Sequence, residues 1–209
     1  MKSSDFKKVV FNECEEQFKL QNFLVPRKLC VLLPFNDQFI GWVGMNSAVN
    51  NGSVEINPFV GIHCPGIFEI EAKLLDLKYK FGSSATTAIH LGEICPEVRA
   101  FHFYSSEPES VKIEAERLVS TIVKFGVPYM HSISSYKALI PLLKERVNML
   151  GGFPESYAIA LFKNNELEKC IEFLDAHTQK IQRHGGMIVS QFEIFKQGLL
   201  KLIKQSTAS

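Results

Sequence analysis

Three short stretches carry side chains that could do chemistry: His63-Cys64, then His90 with Glu93 and Cys95, then His102. Zinc takes nitrogen and sulfur ligands in tetrahedral sets, so these residues would make a metal site if their elements converged. Their spacing matches no established zinc pattern. A nucleophilic pair is the other chemistry on offer, with Cys64 or Cys95 attacking and His63, His90 or His102 as base. It would need a depressed thiol pKa and hydrogen-bond reach between the partners. Adjacent residues on a strand point to opposite faces, so His63 is badly placed to activate Cys64, whereas His90 with Cys95 stays open. The plainer reading is that Cys14, Cys30, Cys64, Cys95 and Cys170 are buried free thiols. They are odd in number, widely spread and form no CxxC pair, as suits a reducing compartment. No residue is therefore assigned a catalytic or metal-binding role, and no cofactor is implied.

Other motifs point to packing. Glu69 and Glu71 stand two apart on an expected helix and so face different ways, as a solvated surface would have them. Gly41, Gly44 and Gly61 build neither GxGxxG nor GxxxxGK[ST], and mark bulges or close approaches instead. The 209 residues are 46% hydrophobic, enough for a real core, and carry a net charge of +1. Near-neutrality without a basic run argues against nucleic-acid binding. Apolar runs fall short of the roughly 20 residues that span a bilayer. The charged start, MKSSDFKKVVFNECEEQF, lacks a signal-peptide core, so a cytoplasmic protein is expected.

What would hold these residues in place is a hairpin. Residues 38–64 contain the single tryptophan, Trp42, and two strand-forming runs around Asn50-Asn51-Gly52-Ser53. Asn-Gly tolerates positive φ at both central positions of a tight turn. Val54 and Ile56 alternate with Glu55 and Asn57, then Phe59 to Ile62 is apolar throughout: wet near the turn, covered on both faces further in. Before it, residues 3–20 read as an amphipathic helix started by Ser3 or Ser4, residues 21–28 as a connector broken by Pro26, and 29–33 as a buried strand. After it come a helix near 67–77, a weak strand over 85–94 and a better one over 99–104. In the latter Phe101 and Phe103 face one way, His102 and Tyr104 the other. Ser106-Glu107-Pro108-Glu109 has capping-box spacing before a helix that Gly126 and Pro128 should stop. Helices over 135–150 (bent at Pro141), 154–163, 166–183 and 186–205 follow. Strands end near 105 and helices alone continue, so the class is α+β: an antiparallel sheet of four or five strands with packed helices and a C-terminal helical portion. The expected division is 1–150 and a C-terminal helical extension, 151–209, packed on the same core.

The run GWVGMN, a turn, VEINPFVGIH, a helix and a strand ending at LGEICPE resembles a pattern found in small bacterial proteins of the toxin-immunity type, over roughly residues 38–145. Such proteins neutralise a toxin delivered by a neighbouring cell, as in contact-dependent inhibition. The resemblance implies a non-enzymatic protein-binding module whose partner is a cognate toxin. It carries over no functional residue, and the neutral charge departs from the acidity common among immunity proteins that meet basic nucleases. From the residues themselves, His102 and Tyr104 are the candidate binding anchors. A small Cys/His or metal-dependent hydrolase and a structural or assembly subunit remain the alternatives.

Overall fold

The apolar-then-polar runs flanking Asn51-Gly52 become the two longest strands of the protein. The computed structural model describes residues 2–27, 30–98, 100–149, 152–183 and 185–207. The strands are β1 (Leu24–Arg27), β2 (Cys30–Pro34), β3 (Ile40–Asn50), β4 (Ser53–His63), β5 (Thr87–His90) and β6 (Phe101–Tyr104). The helices are α1 (Ser3–Leu20), α2 (Pro65–Leu75), α3 (Ser110–Thr121), α4 (Val127–Ser132), α5 (Tyr136–Arg146), α6 (Pro154–Lys163), α7 (Leu167–Gln182) and α8 (Gly186–Thr207). The class is α+β, an antiparallel sheet with packed helices and a C-terminal helical portion. The chain divides into two compact units, Met1–His63 with Gly82–Ser134, and Cys64–Phe81 with Ser135–Ser209.

The first unit is the sheet with α1, α3 and α4. Strand order is β1-β2-β3-β4-β5, and β6 pairs with β4 beside the turn, so both short strands lie along one side of β4. Burial along β4 alternates from the turn and then becomes continuous from Val60 to His63, as the alternation of its sequence dictates. On the inner face Val43, Met45, Val54, Ile56, Val60, Ile62, Phe101 and Phe103 are buried. Helix α1 covers the core with Phe6, Val10, Phe11, Cys14 and Phe18. Val9 of the same helix is 46% exposed.

Several local expectations are corrected. Asn50 pairs with Ser53 as a two-residue turn requires, but only Gly52 has positive φ, +78°, so Asn51 does not share that role. Residues 24–27 are an edge strand rather than part of a connector, and Pro26 is tolerated there because an edge leaves N–H positions without ladder partners. Leu29 and Arg99, expected at the starts of strands, lie outside the described residues. Lys2, not Ser3 or Ser4, is the N-cap of α1, with no side-chain cap. The Ser106–Glu109 capping box does not form: the chain turns twice, through Glu107 N to Tyr104 O and Ser110 N to Glu107 O, and α3 begins only after Glu109. Nor do Gly126 and Pro128 stop the helix. A π-turn over Ile122–Gly126 joins α3 to α4, and the Val127 N–H donates to the Ile122 carbonyl five residues back. The wider turn lets Pro128 enter without a missing donor. Gly126 serves packing, since a Cβ there would stand 2.9 Å from Val60 Cγ1.

The second unit is helical. Ala158, Ile159, Ala160 and Leu161 make α6 buried almost all round, the mark of a central helix. It packs against α2, α5 and α7, while α8 packs on α2 and α7. Ser135 Oγ accepts from the Ala138 N–H and caps α5, which contains Pro141. Phe192, Phe195 and Leu199 of α8 are buried as their period requires, but Ile188 near its start is 65% exposed.

Candidate functional site

In an antiparallel ladder, directly opposed residues share a face, so the register lays out the sheet's outer surface row by row. At the turn the row is Asn50, Ser53 and Tyr104, followed by Ala48, Glu55 and His102, then Asn46 with Asn57. Gly44, Phe59 and His90 come next, then Trp42, Gly61 and Ala88, and the last row is Ile40 with His63. His102, His90 and His63 therefore stand on one face, four residues apart along β4. At about 3.3 Å per residue that is about 13 Å between neighbouring imidazoles, far too wide for one metal ion or one proton relay. Among the described residues no group of three His, Cys, Asp or Glu side chains is placed to hold a metal.

Each imidazole has its own task. His63 is fully buried; its Nδ1 lies 2.7 Å from the Ser84 carbonyl, and its Nε2 accepts from the Gly82 N–H at 3.2 Å. That pairing fixes the proton on Nδ1, which donates. The Gly82 carbonyl in turn accepts from Trp42 Nε1 and from Cys30 Sγ. Gly82 has φ +66°, and a Cβ there would lie 2.6 Å from Leu32 Cδ1. This loop seals the far half of the outer face. His90 closes a capping box on the 3-10 turn Leu91–Glu93: its Nδ1 accepts from the Gly92 N–H while Glu93 Oε1 accepts from the His90 N–H. The His-x-x-Glu spacing that raised the thought of a metal ligand is thus a helix start with histidine in the capping position. Its ring also meets Phe59 edge-on at 5.3 Å.

All five cysteines are buried. Burial, with Glu13 beside it, pushes the Cys14 thiol up to about 12, and burial does the same for Cys170. Cys64 is the N-cap residue of α2 rather than a strand residue.

The half of the face near the turn is open. His102 and Tyr104 stack at 6.4 Å with planes 16° apart, and Tyr104 is 46% exposed. His102 Nδ1 lies 4.0 Å from Glu55 Oε2, and Asn57 Nδ2 donates to Glu55 Oε1 at 2.7 Å. The Glu55 carboxylate, itself fixed by Asn57, thus lies beside the imidazole. From the helical side, Glu114 Oε1 accepts the His102 backbone N–H at 3.2 Å. Arg117 grips the same carboxylate with two donors and lays its guanidinium over the Phe101 ring, 4.5 Å from its centre. Sequence alternation is enough to find His102 and Tyr104; the contributions of Glu55, Asn57 and Glu114 depend on register and helix placement, which it does not contain.

Comparisons of the chain with known protein families, curated proteins and solved structures gave no match. Among the described residues, no helix is long and apolar enough to cross a membrane.

Proposed function

We propose that the chain is a non-enzymatic protein-binding module, acting in the bacterial cytoplasm as an immunity protein that neutralises a cognate toxin of the contact-dependent type. The observation that carries this reading is the His102–Tyr104 stack, half-exposed on a strand beside the Glu55 carboxylate that Asn57 fixes. An aromatic held on a rigid strand loses little side-chain entropy on binding, so it makes an efficient anchor. Around it Asn46, Ala48, Asn50 and Ser53 supply small and polar neighbours, the make-up of a rim that excludes water from a central contact. The dispersal of the imidazoles along β4 and the burial of the thiols weigh against the Cys/His hydrolase. The near-neutral charge places any complementarity in local contacts, so salt should alter association more than dissociation.

The test is co-expression with the product of the neighbouring gene, as the candidate toxin, followed by co-purification. An immunity protein has to outcompete toxin action, which calls for a Kd near nanomolar, about −12 kcal/mol. Tyr104→Ala should weaken the complex by roughly 2 kcal/mol, about thirtyfold, chiefly through faster dissociation. Cell death despite abundant soluble protein, with no co-purification, refutes the immunity reading. A tight complex indifferent to Tyr104→Ala and His102→Ala moves the interface elsewhere.

A further inference from the structure

A cavity of about 250 Å³ lies wholly within the helical unit, and nothing in the proposed toxin contact uses it. One wall is a single face of α7, because Phe173, Ala176, His177 and Lys180 recur at helical spacing. The opposite wall is the end of α5 and the turn beyond it, with Lys144, Val147 and Asn148 again three and four apart. Tyr157 of α6 completes the lining, its ring meeting Phe173 edge-on at 4.7 Å. His177 continues the aromatic wall, 5.3 Å from Phe173 and 4.7 Å from Phe192.

The lining is thus aromatic and aliphatic, with one lysine contributed by each wall. No carboxylate is among the described residues that line it. Lys180 reaches across from α7 and donates to Asn148 Oδ1 on the opposite wall. Burial, with Lys180 as the second cause, holds His177 below its ordinary value, so the ring adds a flat surface rather than a third charge. The carbonyl end of α5 contributes about −0.5 of a charge nearby, which two full ammonium charges outweigh. A cation would gain from the rings but would be repelled by both lysines. A neutral ring would leave the lysines uncompensated. At about 250 Å³, just below the ligand-site range of about 300–1,000 Å³, the cavity suits one ring system with one anionic group.

We propose that this cavity is a binding site for a small aromatic carboxylate, its ring against Phe173, Tyr157 and His177 and its carboxylate between Lys144 and Lys180. The site is independent of the toxin-binding reading and can be tested on the full chain alone. The probes are 2-naphthoate, neutral 2-naphthamide and cationic 2-naphthylmethylamine, titrated into the protein with chemical shifts of the backbone amides as readout. The expected result is saturable binding of the naphthoate with shifts centred on residues 144–148 and 173–180, and at least tenfold weaker binding of the other two. Lys144→Met/Lys180→Met should cost about tenfold for the naphthoate while leaving the amide unchanged. Ala176→Leu, which fills the cavity from an exposed position on α7, should abolish binding of both with an unaltered circular dichroism spectrum. Equal binding of acid and amide, shifts centred elsewhere, or affinity unaffected by either variant overturns the proposal, as does absence of binding at millimolar naphthoate.

Discussion

Gly61 and Gly66 lie five residues apart, and the same substitution should move stability in opposite directions at the two. At Gly61 on β4, a Cβ would stand 2.0 Å from the Thr87 carbonyl oxygen and 2.6 Å from Ala88 Cα, both backbone atoms of β5. Ordinary contact begins near 3.4 Å, so β5 would have to retreat by about 1.4 Å. A hydrogen bond lengthened by that much is no longer one. The β4–β5 ladder spans only Phe59–Ile62 against Thr87–His90. Losing two of its bonds at about 1 kcal/mol each, added to an overpacking cost of about 1–3 kcal/mol, gives roughly 3–5 kcal/mol for Gly61→Ala. At Gly66, near the start of α2, the nearest atom to a built Cβ is Tyr136 Oη at 3.4 Å, and φ lies outside the left-handed range. There Ala should stabilise by about 0.4–1 kcal/mol by restricting the unfolded chain. Urea unfolding measures both. Trp42, the single tryptophan, sits directly across the ladder from Gly61 and reports the first substitution by fluorescence. With a slope near 2 kcal/mol/M its midpoint should fall by about 1.5–2.5 M. Circular dichroism follows the second. An unchanged Gly61→Ala midpoint would refute the close approach of β5 to β4, and a destabilised Gly66→Ala would refute the room for a methyl group at the start of α2.

Gly52→Val should destabilise by about 1 kcal/mol or more, because φ +78° is a conformation that a β-branched residue resists; an unaltered urea midpoint would place the turn elsewhere. Desolvation, with Glu155 as the second cause, holds the Glu71 carboxyl up at about 7, so between its unfolded value of 4.5 and 7 the native chain binds more protons than the unfolded one. This contribution is complete below pH 4.5 and is lost as pH rises through 7, so Glu71→Gln should gain most in melting temperature at pH 8 and little at pH 5; an equal gain at both would contradict it. Cys14 and Cys170, with thiols near 12, should resist a disulfide reagent at pH 8 in the native state and react on unfolding in guanidinium, and fast native labelling of either would show it to be accessible.

The hairpin and the alternation of Phe101-His102-Phe103-Tyr104 were legible because period-two burial is written directly into residue order. So was the class, since long amphipathic runs after residue 105 leave little choice but helix. The errors fall where a residue serves two principles at once. Gly126 and Pro128 are stop signals by local propensity, yet contact with Val60 and a π-turn carry the helix through them. His90 and Glu93 have the residue types of a metal site, but a three-residue spacing at a strand end satisfies a helix start first. Pro26 breaks a central strand and is harmless in an edge strand, and which strand is at the edge is a property of the whole sheet. The cavity beside α7 was illegible for the same reason: its walls come from three helices, and no single helix records the identity of its neighbours.

The carboxylate of Glu114 on the His102 amide has a consequence for how this protein behaves in a crowd. An uncovered strand border offers free donors and acceptors that other chains can extend into a growing fibril. On β6 the His102 donor is already taken by a side chain that no incoming strand can mimic, and Arg117 keeps that carboxylate in place. The short, aromatic FHFY segment would otherwise be a template for aggregation. A helix three turns long thus acts as a guard rail, allowing the protein to display two aromatic side chains to a partner without offering its backbone to its own copies.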